Sequence, residues 1–237
     1  MQKREEDIKI LMSPDSGLLW PYYKDQKALS SSTLTKILKE IEYGDKQIPD
    51  FILQIAANNG KIFHQTIQSF LETGDDKSYL SSKISPKTLE KIKESLTFFK
   101  EKNFDKFLGS ESLHHCFYNE NFFGSYIDLE FEDFAIELKT NNVVIDKSPM
   151  SMLAFRIQLL IQHLCTKKQI YLLWSTGSGV FFNKFEAKKE LFEILEILIK
   201  IVKNKDIYSF EVKKNIIENL LEAYSDGESL QRLLTKR

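Results

Sequence analysis

The sequence predicts an α/β or α+β fold with a central sheet of about five mixed strands and helices packed on it. Runs in which apolar and polar residues alternate, typical of half-buried strands, lie between residues 105 and 185. Stretches with apolar residues at helical spacing lie before, within and after that region. The order of helices, three strands, one helix, two strands and helices predicts a mixed sheet with helices around it.

The composition is that of a globular protein with enough apolar residues for a sizeable core. The 237 residues include 42% hydrophobic residues and eighteen phenylalanines, and the formal net charge is −1. Such a balance gives no overall basic field, so nucleic-acid binding would depend on local lysine and arginine patches. We find no signal peptide and no apolar run that would span a membrane, and we expect a cytoplasmic protein without a membrane partner.

The two cysteines, Cys116 and Cys165, each stand alone in apolar surroundings. Two isolated cysteines make a disulfide framework, a zinc site or an iron–sulfur cluster an unfavoured interpretation. The glycine-rich turn at residues 177–179 joins two strands and opens no helix, so it is not a phosphate-binding loop. We therefore expect neither an iron–sulfur cluster nor a nucleotide cofactor.

The first 28 residues are predicted to form an N-terminal arm and an irregular loop, because a charged stretch is followed by two prolines and a glycine. The aromatic residues Trp20, Tyr22 and Tyr23 either pack this loop onto the body, which we favour, or stack on nucleobases. The rest is predicted to be a single domain at 29–237, made of a helical region at 29–104, a sheet core with a motif helix at 105–185 and C-terminal helices at 186–237.

Three helices are predicted before the sheet. A serine run caps the first, which continues to Tyr43 and ends at Gly44. The second covers residues 49–72 and ends before Gly74, and the third begins at a proline and covers residues 86–102. The apolar residues of the second helix that are predicted to face a core are Phe51, Ile55, Ile62, Phe63, Ile67, Phe70 and Leu71.

The other elements follow from the same patterns. The predicted strands outside the central hairpin lie at 107–118, 169–175 and 180–185, the loop at 141–149, and the helices at 150–165, 187–203, 211–224 and 228–235. The helix after the loop has an apolar stripe at helical spacing, formed by Leu153, Ile157, Leu160 and Leu164.

Residues 124–140 predict a hairpin in which two alternating runs flank the pair Glu132-Asp133. With these two residues as the turn, Asp128 lies directly opposite Glu137. A slip of one residue would move the two acids to different faces. The apolar face of the hairpin would carry Ile127, Leu129, Phe131, Phe134, Ile136 and Leu138, and the polar face Tyr126, Asp128, Glu130, Glu137 and Lys139.

Like charges at opposed positions of a hairpin repel, because their Cβ atoms are only about 4.5–5.5 Å apart. Asp128 and Glu137 therefore indicate a divalent cation between them. Mg²⁺ takes oxygen ligands, commonly one or two carboxylates together with water and phosphate. Lys139 leaves the same face as Glu137, where it would orient a metal-bound water or stabilise charge on a phosphate.

Asp128 followed by Glu137 and Lys139 resembles the D…(D/E)-x-K signature of the PD-(D/E)XK nuclease superfamily. Gly124, four residues before the aspartate, is similar to the G-x-x-x-D start of that strand in the RecB-like branch. Thr140 after the lysine is similar to the D-x-K-T of the same branch. The signature alone occurs often by chance in a chain rich in lysine and glutamate, and the flanking residues make it more specific.

Further motifs of the RecB-like branch have counterparts in the same order along the chain. Gln158 resembles the glutamine of Q-x-x-x-Y, although Gln162 stands where that motif has tyrosine. His64, four residues after Gly60, resembles the G-x-x-x-H helix. Residues 29–34 are similar to the opening S-x-S-x-L. The four-cysteine cluster of the helicase-linked members is absent, so the nearest resemblance is to small stand-alone exonucleases of the phage-recombination or mitochondrial-genome-maintenance kind.

The resemblance implies a restriction-endonuclease-like core and a site with one or two Mg²⁺ or Mn²⁺ ions. Asp128, Glu137 and the carbonyl of Leu138 would be metal ligands, and His64 a ligand from the helical side. Lys139 would act on the water or the phosphate. His64 has a rival interpretation as a hydrogen-bonded core histidine.

Four more residues are candidates on the same basis. Gln158 would hold Lys139 or a phosphate, and its rival interpretation is a solvated glutamine. Arg156 is a candidate phosphate clamp and Thr140 a candidate DNA contact. Glu111, on the preceding strand, is a possible additional acid, with a surface strand residue as the alternative.

Three classes of function stay open at this stage. The first is a DNA exonuclease that acts on linear DNA with a free end in recombination, repair or replication, with a separate helicase or annealing protein as a possible partner. The second is an endonuclease of the same superfamily, and the third is a non-catalytic nucleic-acid-binding or scaffold protein. The sequence does not decide polarity, strand preference, DNA against RNA, or oligomeric state.

Overall fold

The computed structural model describes residues 6–44, 49–81, 84–140, 149–176, 178–204 and 207–225. Four predictions fall wholly or partly on other residues and lie outside this description. They concern the first five residues of the arm, most of the loop at 141–149, the first residue of the turn at 177–179 and the last helix at 228–235.

Much of the N-terminal stretch is regular, and its prediction as an irregular loop was wrong. It forms an antiparallel sheet of three strands, β1 (Ile8–Met12), β2 (Leu19–Tyr23) and β3 (Gln26–Lys27), with β2 in the middle. Pro21 lies within β2. Proline removes only the N–H of a residue, and the Pro21 carbonyl still accepts the amide of Ala28 at 3.0 Å.

The aromatic residues of this sheet pack onto the body, as the favoured interpretation predicted. Trp20 is buried in a cluster with Ala28 and Phe122, and its indole N–H donates to the Ala28 carbonyl at 2.9 Å. Tyr23 meets Phe117 edge to face, with ring centroids 4.8 Å apart. The small sheet is thereby fixed to the main sheet by aromatic contacts.

Helices α1 (Ser31–Tyr43), α2 (Asp50–Thr73) and α3 (Pro86–Lys102) confirm the predicted helical region. Ser30 caps α1 by accepting the amide of Thr33 at 3.0 Å, and Gly44 follows its last turn. Gly74 ends α2 with a left-handed φ of 76°, which glycine adopts without strain.

The predicted core face of α2 is correct only in the second half of the helix. Phe63 and Ile67 are fully buried, whereas Phe51 and Ile55 are 62% and 57% exposed. Residues 50–58 are all exposed, so the helix begins away from the body and reaches it about three turns later. Apolar spacing gives the direction of a helix face but does not show whether a neighbouring element covers it.

Five strands form the main sheet and confirm the predicted mixed α/β core flanked by helices. They are β4 (Phe107–Tyr118), β5 (Asn121–Phe131), β6 (Phe134–Thr140), β7 (Gln169–Thr176) and β8 (Gly179–Lys184). The strands lie in sequence order; β6 and β7 are parallel and the other neighbours antiparallel. Helix α4 (Pro149–Thr166) makes the crossover between the two parallel strands.

Helices cover both faces of this sheet. One core cluster joins it to α1, α4, α5 (Lys189–Lys203) and, through Ile217, α6 (Phe210–Ser225). The other cluster joins it to α2 and α3. Ala135 and Ile136, adjacent on β6, belong to different clusters, as expected for side chains that alternate across a strand. Of the helices described, none is long and apolar enough to cross a membrane.

The central hairpin has the predicted turn and register, since Leu129 pairs with Ile136 and Glu130 with Ala135. One member of its predicted apolar face is misplaced. Ile127 packs in the cluster with α1, α4 and α5, whereas Leu129 packs in the cluster with α2 and α3. The alternation is thus interrupted at the residue between them.

An irregularity in β4 lies beside this interruption. The ladder between β4 and β5 passes from the pair Ser110–Leu129 to the pair Ser112–Ile127. Glu111, between the two paired residues of β4, has a φ of 50°. A non-glycine residue in this region is uncommon and marks a local departure from strand geometry.

Candidate active site

Asp128, Glu137 and Lys139 come together at the end of the β5–β6 ladder. The Cα pairing of the two strands covers two residue pairs and stops at Leu129 and Ile136. Just beyond it, Asp128 Oδ2 accepts the backbone amide of Leu138 at 2.8 Å. A side-chain oxygen therefore does here what a strand carbonyl does in the ladder. Asp128 and Glu137 are close enough to interact electrostatically, although the ladder ends before it would pair them.

Helices from both sides of the sheet reach this carboxylate pair. His64 of α2 places its Nδ1 3.6 Å from Asp128 Oδ1. Gln158 of α4 donates through Nε2 to Glu137 Oε1 at 2.6 Å, and the ammonium group of Lys139 bonds the same oxygen. Five predicted site residues from four elements, α2, β5, β6 and α4, are thus brought to one place.

Glu137 is 3% exposed and has three side-chain donors. Its Oε1 accepts from Lys139 and Gln158, and its Oε2 accepts Nε2 of Gln162 at 2.5 Å. An ionised carboxylate offers about four lone-pair positions, so roughly one is left for a further ligand. Lys139 is itself held over the ring of Phe155, 5.6 Å from the centroid.

The pKa values of the two carboxyl groups move in opposite directions. Burial and the negative charge of Asp128 raise the pKa of Glu137, and the contacts with Lys139 and Gln162 offset this only in part. Burial alone would also raise the pKa of Asp128, but the contact with His64, the charge of Lys139 and the Leu138 amide lower it. Because the two carboxyl groups interact, these opposite pKa shifts mean that placing a second negative charge at the site costs free energy.

The basic groups respond to the same carboxylates. Burial would lower the pKa of Lys139, but the charges of Glu137 and Asp128 outweigh burial and raise it. Burial would likewise lower the pKa of His64, and the contact with Asp128 raises it above the ordinary value. Both shifts have the direction expected of cationic groups beside two carboxylates.

The donor set fits Mg²⁺ or Mn²⁺ in chemical type, because two carboxylates and a backbone carbonyl are hard oxygen ligands. Within the part of the chain that the structure describes, no three His, Cys, Asp or Glu side chains converge on one point as a ready cage. A cation held by Asp128 and Glu137 would therefore complete its shell with the carbonyl of Leu138, water or phosphate oxygens.

Three other predicted site residues are less clearly connected to the carboxylate pair. Arg156 of α4 is 7% exposed, which leaves little guanidinium surface for a phosphate. Thr140 ends β6 half-buried and pairs with Ser175. Glu111 is exposed, and no hydrogen bond or ion pair found among the described residues links it to the carboxylates.

Two features of the site were missed by sequence reasoning. Gln162 was noted only as a departure from a tyrosine, yet it holds Glu137 directly. Glu130 belongs to a second cluster, in which Lys168 Nζ bonds Oε1 at 2.7 Å and His114 Nε2 lies 2.9 Å from Oε2. The alternation of β4 and β5 could have paired His114 with an acid, whereas Lys168 lies in the short connection between α4 and β7.

Comparisons with known proteins add little to this geometry. No protein-family model matches the chain, and no curated protein matches it. A solved structure from Eubacterium rectale, named "putative exonuclease", matches with a TM-score of 0.45 and 9% identity over 79% of this chain and 81% of its own. The structure of SSO0001 matches with a TM-score of 0.35 and 14% identity over 72% and 82%. Likenesses this distant carry no argument about activity.

Proposed function

We propose that this protein is a metal-dependent deoxyribonuclease that hydrolyses phosphodiester bonds, working from the ends of linear DNA. One observation carries the proposal. Glu137 is buried and Asp128 half-buried beside it, Lys139 neutralises the two only in part, and they lie just beyond the last paired residues of β5 and β6. An acid pair with a lysine suits a divalent cation and a phosphate group better than it suits a stable hairpin.

Asp128 and Glu137 would hold Mg²⁺ or Mn²⁺, with the Leu138 carbonyl as a further ligand and His64 as an additional one. When bound, the metal supplies a nucleophilic hydroxide at neutral pH and Lewis-acid stabilisation of the phosphate. Gln158 fixes the orientation of the Glu137 carboxylate through its bond to Oε1. An acidic site of this kind binds a phosphodiester only after a cation has reduced its negative charge.

Lys139 is the group that acts on the reacting atoms. Without a bound cation it is paired with Glu137. A lysine is cationic at neutral pH, and the charges of Glu137 and Asp128 raise the pKa of Lys139 further, so it would act as a fixed positive charge and not as a base. That charge would stabilise the negative charge that develops on the phosphate, or orient the attacking water.

The projecting first half of α2 supports the more specific proposal that the enzyme acts as an exonuclease. The helix carries His64 to the site, and its first nine residues, 50–58, are all exposed. A projecting helix beside the carboxylates forms a wall along which a single strand end can approach. Arg156 and Thr140 remain proposed DNA contacts, with Arg156 needing a side-chain movement to become exposed.

End-labelled linear DNA, a covalently closed circle and labelled RNA, each with Mg²⁺ or Mn²⁺, test the proposal. The test compares the wild type with Glu137→Gln, Lys139→Met and a surface control, Glu111→Gln. We expect the wild type and the control to degrade linear DNA only with metal, the two site variants to be inactive, and the circle to survive.

Three other outcomes would change or refute the proposal. Cleavage of the circle would replace the exonuclease mode with an endonuclease mode. Preferential degradation of RNA would correct the substrate. A wild type that is inert on all three substrates with both metals would refute the nuclease proposal.

A further inference from the structure

Two side-chain links hold β5 and β6 together beyond the end of their ladder. The first is the bond from the Leu138 amide to Asp128. The second is made by Gln162 of α4, whose Nε2 donates to the Tyr126 carbonyl at 3.1 Å and to Glu137 Oε2 at 2.5 Å. Tyr126 lies on β5, two residues from Asp128, so one amide group connects the two strands that carry the two carboxylates.

The orientation of the Gln162 amide follows from its neighbours. Both groups that it contacts are acceptors, so its NH₂ must face them. Its own oxygen, Oε1, is then buried without a hydrogen-bond partner among the described residues. A buried acceptor without a donor lowers stability. A side chain present for packing alone would be aliphatic, and the bridge is what a glutamine adds at this position.

We propose that Gln162 is a positioning residue that sets the separation of Asp128 and Glu137, and through it the affinity of the pair for a divalent cation. This inference rests on the proposed function. The sequence resemblance does not supply it, because that motif has a tyrosine at this position. Gln158 contacts Glu137 too, but within the described part of the chain its amide makes no hydrogen bond to β5, so it orients one carboxylate without fixing the pair.

The test is calorimetric titration of Mn²⁺ into wild type, Gln162→Met and Gln158→Met at a temperature at which circular dichroism shows all three folded. Methionine keeps the length of glutamine and removes its N–H donors. We expect Gln162→Met to bind Mn²⁺ about 10–100-fold more weakly than wild type, as for loss of a group that orients a metal ligand. The matched variant Gln158→Met should lose less, because the link between the strands is intact.

Thermal unfolding is a second readout that distinguishes a merely structural role of Gln162. If the role is only structural, Gln162→Met will lower the unfolding temperature of the metal-free protein and leave the Mn²⁺ affinity of the folded protein unchanged. That result would overturn the inference. A loss no larger than that of Gln158→Met would overturn it as well. If Gln162→Met does not fold, Gln162→Asn serves, because its shorter amide cannot reach both acceptors. A wild type that binds no Mn²⁺ would refute the proposed function itself.

A second, independent observation concerns Cys116 of β4 and Cys165 of α4. They are 49 residues apart in sequence, both are free thiols, and their Sγ atoms lie 3.3 Å apart. The two are therefore neighbours, contrary to the sequence interpretation of isolated cysteines. A disulfide has an S–S distance of about 2.05 Å, so the two sulfur atoms would have to approach by about 1.3 Å.

We propose that this pair is a reversible modification site that takes a small disulfide such as oxidised glutathione as its oxidant. The half-buried Cys116 reacts first: its thiolate attacks the oxidant, one glutathione leaves, and a mixed disulfide forms. The thiolate of Cys165 then displaces the second glutathione. The protein thiols lose two protons and two electrons in total, and the oxidant is reduced to two thiols. The hydrogen bond between the two thiols lowers the pKa of Cys116, which favours the first step, and together with burial it raises the pKa of Cys165. Formation of the mixed disulfide removes that hydrogen bond and the negative charge of Cys116 before Cys165 reacts.

Peptide mapping by mass spectrometry after incubation with oxidised glutathione tests this site. We expect one cross-linked peptide pair that contains both cysteines, a higher unfolding temperature because a long loop is closed, and reversal by dithiothreitol. The variant Cys165→Ala should stop at the mixed disulfide on Cys116. A wild type that also stops at the mixed disulfide, or that does not react, would overturn the proposal.

Discussion

Glu130 and Asp128 stand two residues apart on β5, yet their negative charges are balanced in opposite ways. Glu130 has a lysine at 2.7 Å and a histidine nitrogen at 2.9 Å for a single carboxylate. Burial would raise its pKa, but the bonds from Lys168 and His114 outweigh burial and lower it. The Glu130 cluster is therefore electrostatically complete as folded.

The neighbouring pair of carboxylates, Asp128 and Glu137, has fewer basic partners per carboxylate than Glu130 has. Asp128 and Glu137 share one lysine, Lys139, and a histidine that stands 3.6 Å away. The pKa of Glu137 is raised, in contrast to that of Glu130. The proposed metal site therefore differs from the other acid of this hairpin in its charge balance. What singles out the pair is a second negative charge that the protein leaves without a full partner.

The largest expected effect is the loss of the metal site in Glu137→Gln. Removing one charge of the pair should weaken Mn²⁺ binding by at least about 100-fold, the upper end of the loss seen when only an orienting group is removed. Hydrolysis of DNA should become undetectable. Titration calorimetry and the end-label assay measure the two effects. Retention of wild-type affinity would show that Glu137 is not a ligand.

Lys139→Met should separate binding from turnover. The variant removes the ammonium group that occupies Glu137 Oε1, so Mn²⁺ should bind at least as tightly as in wild type. The rate of hydrolysis should nevertheless fall by about 10²–10³-fold, because a charge that stabilises the transition state is lost. Equal losses of affinity and rate would contradict the role proposed for Lys139.

Glu130→Gln should affect the fold and leave the metal site intact. Lys168 and His114 would lose their common carboxylate, and we expect a loss of about 1–3 kcal/mol in the free energy of unfolding. Urea denaturation measures it. Mn²⁺ affinity should stay within about twofold of wild type, since pairs of sites without shared partners act almost independently. A large fall in affinity would mean that the two clusters are one network.

Gly124→Ala should disturb the packing of the N-terminal sheet against β5, without acting directly on the Glu130 cluster or on the Asp128–Glu137 pair. A Cβ atom at this position would lie 2.7 Å from Pro21 Cγ and 3.0 Å from Trp20 Cζ2, which is closer than such atoms pack. We expect a destabilisation of about 1–3 kcal/mol by overpacking. Thermal unfolding checks it, and Mn²⁺ affinity of the folded variant should be unchanged. Wild-type stability would show that the N-terminal sheet is free to move away.

Glu111→Gln should have the smallest effect of all. The side chain is exposed and stands apart from the carboxylate pair, so activity and Mn²⁺ affinity should remain within about twofold of wild type, as for surface changes in general. A larger loss would restore Glu111 as an additional acid of the site. The unusual backbone conformation of Glu111, with a φ of 50°, would then be the first feature to examine as the cause of that loss.

The core of the site was predictable because its determinants are local. Strict alternation on both sides of an acidic two-residue turn specifies a hairpin, and the register then places Asp128 against Glu137 and Lys139 beside it. The caps of α1 and α2 were predictable for the same reason, since Ser30 and Gly74 act within one helical turn.

Features that depend on how distant elements dock could not be predicted. Gln162 becomes a bridge only when α4 lies across the open end of β5 and β6, and nothing in its sequence neighbourhood indicates that. The contact between Cys116 and Cys165 depends on the same docking. The exposure of Phe51 and Ile55 follows from where α2 meets the body, a tertiary property that hydrophobic spacing does not encode.

The most direct test of the central claim is one calorimetric comparison of Mn²⁺ binding to wild type, Glu137→Gln and Glu130→Gln. The charge balance of the two clusters predicts binding to wild type, the same binding to Glu130→Gln, and a loss of at least about 100-fold in Glu137→Gln. Absence of binding to wild type, or equal losses in the two variants, would contradict the claim that the under-neutralised pair is the metal site.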